Sequence, residues 1–132
     1  MSLQAYQKAQ RFAESPRETE YRLFAQVTGA LIRAKESGVK NGAYVDALDW
    51  NRRMWSVFST DCAVEGNQLP SDLRARIISI ALWVSRYTSE VIRGNGDIDA
   101  LIDVNRAIME GLASRPDMAN QPAPAAIQPQ TA

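Results

Sequence analysis

The chain has 132 residues, equal numbers of acidic and basic side chains, one cysteine and no histidine. The lack of histidine excludes a Ser-His-Asp triad, a Cys-His dyad and histidine metal ligands, and one cysteine can form neither an internal disulfide nor a cysteine-rich zinc site. Cys62 falls at helical spacing with apolar residues and is expected to pack as a small hydrophobe. We therefore expect a protein that is not an enzyme and holds no metal or cofactor.

Two helices are predicted in the first 38 residues. Apolar residues at helical spacing behind Ser2 predict a short N-terminal helix that ends before Pro16. A second helix begins there, because Pro16 suits the first helical position and Glu18 stands where a capping box needs an acid. It runs to a stop at Gly38. Gly29 inside it costs about 1 kcal/mol relative to alanine, or else lets another helix approach closely. The predicted core face of the second helix is Tyr21, Phe24, Ala25, Thr28, Leu31, Ile32 and Lys35.

Two strongly apolar helices follow. The third is predicted from Gly42 to Ala63 and the fourth from Pro70 to Gly94. Each has a core stripe at helical spacing and further apolar residues beside it. The stripe of the third helix is Tyr44, Ala47, Leu48, Asn51, Trp55, Phe58 and Cys62, with Trp50, Met54 and Val57 beside it. The stripe of the fourth is Leu73, Ile77, Ile80, Ala81, Val84, Thr88 and Val91, with Ile78, Leu82 and Trp83 beside it.

A fifth helix is predicted after the turn that ends at Gly96, with Asp97 as its N-cap. Its core face is Ile98, Leu101, Ile102, Asn105, Ile108, Met109 and Leu112. No segment of similar length alternates with period two. We predict an all-α fold over residues 1–115, a single-domain helical bundle of four long helices plus the short N-terminal one. Residues 116–132, rich in proline, alanine and glutamine, are predicted to form a disordered tail.

The sequence gives no signal for a membrane. Met1 to Ala5 lack a charged-then-apolar signal sequence, and the longest apolar run, Ile80 to Val84, is far too short to span a bilayer. All 15 basic residues and 14 of the 15 acidic ones precede the tail, so the domain is near neutral and has no general attraction for nucleic acid. We expect a cytoplasmic protein with no membrane insertion and no direct binding of nucleic acid.

One segment does suggest nucleic acid. Arg52 and Arg53 lie between Trp50 and Trp55, and basic residues interleaved with aromatic ones are typical of surfaces that bind single strands. A competing interpretation is favoured, because Asp49 stands one helical turn before both arginines and can neutralise them.

The apolar residues beside the two stripes leave two interpretations open. Either the third and fourth helices are central and buried on most sides, or part of this surface is a groove for an amphipathic helix of a partner. A second copy of the chain can cover such a surface as readily as a client, so a homodimer is possible in the absence of a client.

The run from Tyr44 to Trp55, YVDALDWNRRMW, together with the STDC that follows at 59–62, closely resembles the FlaF family of flagellar biosynthesis regulators from alphaproteobacteria. The resemblance covers residues 1–113 and does not include the tail. Supporting similarity lies in Thr19–Phe24, in Leu69–Pro70 with Leu73–Arg74, in Ile77–Ser79 with Leu82–Val84, and in Asp103–Met109.

The resemblance implies a function in flagellum assembly. FlaF-like proteins are needed for flagellin synthesis and secretion, and act alongside FlbT, a post-transcriptional repressor of flagellin expression. The function it implies is a flagellin-binding secretion chaperone and regulator that couples flagellin translation to type III export, with amphipathic terminal segments of flagellin as the partner. The alternative is a post-transcriptional regulator that acts on flagellin mRNA, directly or through FlbT. Partner binding is predicted for Trp50, Arg53, Met54 and Trp83, and a core position for Trp55 and Phe58.

Overall fold

The computed structural model describes Leu3, residues 16–64 and residues 69–114. These ranges contain four long helices and no strand, which confirms the all-α prediction. The rest of the predicted N-terminal helix and the predicted tail lie outside the described residues. The helices are α1 (Pro16–Ser37), α2 (Gly42–Ala63), α3 (Ser71–Ile92) and α4 (Ile98–Ser114).

The helix ends follow local signals in the sequence. α1 ends where Gly38 adopts a left-handed conformation with φ of 67°, as the predicted stop requires. α4 begins behind Asp97, whose side-chain oxygen accepts a hydrogen bond from the backbone N–H of Asp99 at 2.9 Å, which confirms the predicted cap. The cap of α2 was not predicted: the side chain of Asn41 accepts a hydrogen bond from the backbone N–H of Tyr44 at 3.1 Å.

The four helices form an antiparallel bundle, as the short connections between them favour. α2 packs most extensively on α3, α1 packs on both α4 and α2, and α3 makes a smaller contact with α4. Three aromatic rings join α1 to α2 at the centre of the core. Phe24 meets Trp55 and Phe58 edge to face, with ring centroids 5.3 Å away in each case. The predicted core positions of Trp55 and Phe58 are therefore confirmed.

A buried amide joins three of the helices. Asn105 of α4 donates from Nδ2 to Thr28 Oγ1 of α1 at 3.1 Å and to Asn51 Oδ1 of α2 at 2.8 Å. Its Oδ1 accepts a hydrogen bond from Trp55 Nε1 at 2.8 Å. All four residues are buried, and Nδ2 of Asn51 has no partner among the described residues. Because each bond joins residues on different helices, this network fixes the positions of α1, α2 and α4 along the bundle axis relative to one another. We call the position of a residue along this axis its height.

Two sequence interpretations of α1 are wrong. Tyr21 and Lys35, both predicted on the core face, are exposed, whereas Val27 is fully buried although it was not predicted there. Val27 lies three residues after Phe24, so the true core face is rotated toward α2 from the predicted one. Gly29 does not admit a neighbouring helix either. A Cβ at Gly29 would come within 4 Å only of the Arg33 guanidinium, on the same helix, with a shortest distance of 3.2 Å.

Replacing Asn105 and Asn51 separately tests the network. We expect Asn105→Leu to lower the free energy of unfolding by about 3 kcal/mol or more, because it leaves the Trp55 N–H and the Asn51 carbonyl without partners in the core. Asn51→Leu removes one hydrogen bond together with an Nδ2 group that has no partner among the described residues, and should cost about 1 kcal/mol. Urea denaturation followed by circular dichroism measures both. Equal losses at the two sites would contradict the central position of Asn105.

Gly29 and Gly38 should respond to alanine in opposite directions. Gly29→Ala should raise the free energy of unfolding by up to about 1 kcal/mol, because the only close group is the end of a flexible side chain. Gly38→Ala should lower it by about 1 kcal/mol, because the residue has a positive φ. Thermal denaturation of the two variants and the parent measures both effects, and a loss of stability in Gly29→Ala would show that the Arg33 side chain cannot move aside.

Candidate functional site

The four residues predicted to bind a partner lie on different parts of the molecule. Trp50 is 37% exposed, and the Arg53 side chain is 72% exposed. The Met54 side chain is only 4% exposed and belongs to the hydrophobic core, so its prediction as a surface contact is corrected. Met54 lies seven residues after buried Ala47, which means that the core stripe of α2 is wider than the sequence pattern indicated.

Trp83 lies on α3, away from Trp50. Its half-buried ring stacks on Tyr87 of the same helix, with ring centroids 4.8 Å apart and planes 16° from parallel. The Tyr87 hydroxyl in turn accepts a hydrogen bond from the backbone N–H of Asp97 at 2.8 Å. The stack therefore supports the turn between α3 and α4.

Trp50 lines a groove beside α2. This α1–α2 groove lies between the second half of α1 and the first half of α2, and has a volume of about 480 Å³. Its apolar lining consists of Ala30, Ala34, Val39, Ala43, Tyr44, Ala47 and Trp50. The aromatic ring of Trp50 thus stands beside small side chains, and this combination leaves room for the apolar face of another helix.

Two further exposed apolar residues extend this surface toward the other end of the bundle. Leu23 of α1 is 37% exposed and Val57 of α2 is 61% exposed. Each lies seven residues from a groove residue on its own helix, Ala30 and Trp50 respectively, and seven residues are close to two full turns. We call the α1–α2 groove together with Leu23 and Val57 the α1–α2 surface.

The α1–α2 groove has one charge on each wall. Arg33 of α1 and Asp46 of α2 both line it, and both are exposed. Neither has an ion-pair or hydrogen-bond partner among the described residues. They are available to charged groups of a molecule that enters the groove.

A smaller groove separates α2 from α3. This α2–α3 groove has a volume of about 340 Å³ and is lined by Arg53 and, from α3, by Ile78 and Leu82. Leu82 is 59% exposed. Serine hydroxyls line much of the remainder, so the groove is more polar than the first one. The polar lining residues are Arg52, Arg53, Ser56, Ser59 and Ser85.

The arginine pair of α2 does not form a surface with aromatic side chains. Asp49 forms ion pairs with Arg52 at 3.2 Å and with Arg53 at 3.1 Å. Trp55 is completely buried. These contacts confirm the interpretation of the arginines as partners of Asp49.

Cys62 has the surroundings of a structural residue. It is buried at the end of α2, where burial raises the pKa of its thiol to about 11 and the nearby Glu20 carboxylate adds to the rise. Burial also raises the pKa of Glu20, which pairs with Arg17. In residues 16–64 and 69–114, no group of three or more acidic or cysteine side chains is placed to hold a metal ion. None of the helices described is long and apolar enough to cross a membrane.

Comparison with known proteins gives one match. The family model described as "Flagellar protein FlaF" matches residues 2–112. The matched residues include α1, α2, α3, most of α4 and both grooves. No match is found among curated proteins or among solved structures.

The raised pKa of Cys62 predicts a thiol that does not react in the native state. At pH 8 a group with a pKa of about 11 is ionised in roughly one molecule in a thousand, and burial further limits access. We expect negligible modification by a thiol-specific disulfide reagent in native buffer and complete modification in denaturant. Native reactivity should stay low to about pH 9. Rapid native modification at pH 7 would contradict the buried position.

Proposed function

The chain belongs to the FlaF family of flagellar proteins, and from this premise we propose that it is a non-enzymatic chaperone that binds flagellin before type III export. In this proposal, the protein also acts as a regulator that couples flagellin translation to secretion during flagellum assembly. The client enters the α1–α2 groove as an amphipathic helix and leaves it when the subunit is exported.

The α1–α2 groove is the observation that supports this proposal most directly. Tryptophan at the centre of a contact is typical of residues that contribute much of the binding energy, and Trp50 is both exposed and surrounded by small side chains. Leu23 and Ser37 mark the length of the α1–α2 surface along α1. Their separation corresponds to about 21 Å at 1.5 Å per residue, which is about four turns of a bound helix.

The chemistry of the groove suits a client with amphipathic terminal segments, as the family resemblance implies for flagellin. Its lining is mainly apolar, and its two rim charges, Arg33 and Asp46, have opposite signs. Association should therefore rest on apolar contact and depend little on ionic strength.

The described residues give little support to direct binding of flagellin mRNA. The candidate arginines, Arg52 and Arg53, already pair with Asp49, and Trp55 cannot stack on a base because it is buried. Regulation through FlbT would require a protein contact, which either groove could supply. Direct RNA binding would be recognised by an affinity that falls steeply with salt.

A mixing experiment tests the chaperone proposal. The full chain and unassembled flagellin are mixed at about 10 μM each, a concentration at which a complex with a micromolar dissociation constant is detected. The mixture is separated by size-exclusion chromatography with light-scattering detection. We expect a stoichiometric complex that persists at about 0.5 M salt. Trp50→Ala should weaken the complex at least about tenfold, whereas Leu82→Ala, a matched loss of an exposed apolar side chain in the α2–α3 groove, should leave it unchanged.

Thermal denaturation of both variants separates loss of binding from loss of folding. If the wild-type chain forms no complex with flagellin, the chaperone proposal is wrong. If Leu82→Ala removes binding while Trp50→Ala retains it, the client occupies the α2–α3 groove instead.

A further inference from the structure

We propose that a second copy of this chain occupies the α1–α2 surface when no client is present, and forms a two-fold symmetric homodimer. This inference concerns the protein alone and holds whether or not its client is flagellin. It rests on the heights and charges of the residues on that surface.

Residues of α1 and α2 can be paired by height. The two helices are antiparallel, since Phe24 near the start of α1 meets Trp55 and Phe58 near the end of α2. Arg33 stands four residues before the end of α1, and Asp46 stands four residues after the start of α2. Arg33 and Asp46 are therefore at about the same height, on opposite walls of the groove.

The apolar residues of the surface follow the same order. Ala30 is seven residues before the end of α1, and Trp50 is eight after the start of α2. Leu23 and Val57 are fourteen and fifteen residues from the same two ends. At each of these heights the surface thus presents one side chain from α1 and one from α2. The pairs are Arg33 with Asp46, Ala30 with Trp50, and Leu23 with Val57.

A two-fold axis parallel to the bundle axis makes this arrangement self-complementary. Rotation by 180° about such an axis leaves the height of every residue unchanged. It therefore places α1 of one copy against α2 of the other, with residues of equal height facing each other. Arg33 of each copy then meets Asp46 of the other. The Trp50 ring of one copy faces the small side chain of Ala30 in the other, and Leu23 faces Val57.

The alternative two-fold axis, perpendicular to the helices, does not give this match. It places α1 against α1 and α2 against α2, so Arg33 can no longer meet Asp46 at the same height. The unpartnered charges therefore select the parallel axis. A single groove of this size predicts a weak and concentration-dependent dimer, as is usual for small interfaces.

Charge reversal at Arg33 and Asp46 tests the proposal. The full chain is studied by sedimentation equilibrium from about 5 to about 500 μM, in about 50 mM salt so that exposed ion pairs are little screened. We expect the average mass of the wild-type chain to rise with concentration from 14.6 kDa toward twice that value. Arg33→Asp alone and Asp46→Arg alone should each stay monomeric, because each variant opposes like charges across the interface.

An equimolar mixture of the two single variants gives the decisive result. In a heterodimer of Arg33→Asp with Asp46→Arg, both charge pairs are again opposite in sign, so dimerisation should return to the wild-type level. Arg86→Asp, an equal change of charge at an exposed arginine on α3, should dimerise like the wild type. Trp50→Ala should raise the dissociation constant of the dimer at least about tenfold.

A wild-type chain that stays monomeric over the whole range overturns the proposal. Dimerisation of either single variant at the wild-type level, or a mixture that remains monomeric, also overturns it. No flagellin is present in these measurements, so their failure would leave the chaperone proposal to be judged by its own experiment.

Discussion

The arrangement of the bundle depends on one side chain, the carboxamide of Asn105. Its three hydrogen bonds reach α1 through Thr28 and α2 through Asn51 and Trp55. Apolar packing alone tolerates small sliding of one helix along another, whereas hydrogen bonds with defined partners do not. The amide therefore converts a generic hydrophobic core into one with a single set of helix heights, even though the Nδ2 group of Asn51 has no partner in the part of the chain that the structure describes.

The candidate surface follows from that constraint. Because α1 and α2 are held at fixed heights, their outer residues lie in pairs at equal heights. Leu23 lies level with Val57, and Arg33 lies level with Asp46. A shift of one helical turn, about 5.4 Å, would separate the two charges and move Trp50 away from Ala30. The buried hydrogen bonds thus determine the pattern on the outside of the molecule. Both proposed occupants, a client helix and a second copy, depend on that pattern.

The sequence predicted what is encoded locally. The stop at Gly38 and the cap at Asp97 each depend on a few neighbouring residues, and both are confirmed. The burial of Met54 was missed, because the width of a core stripe is set by the helices on either side and not by the helix itself. The bond between Trp55 and Asn105 joins residues 50 positions apart, and no spacing rule reaches that far. The α1–α2 groove was equally beyond a sequence pattern, since its walls come from two helices.

The three tryptophans of the chain occupy three different environments. Trp55 is buried and donates a hydrogen bond, Trp83 is half-buried and stacked on a tyrosine, and Trp50 is partly in contact with solvent. The emission wavelength of an indole depends on its contact with solvent. The fluorescence of the protein therefore reports on three separate regions. Trp50 reports on the α1–α2 groove, Trp83 on the turn before α4, and Trp55 on the core. Occupation of the groove and opening of the bundle therefore have distinct spectral signatures in the unlabelled protein.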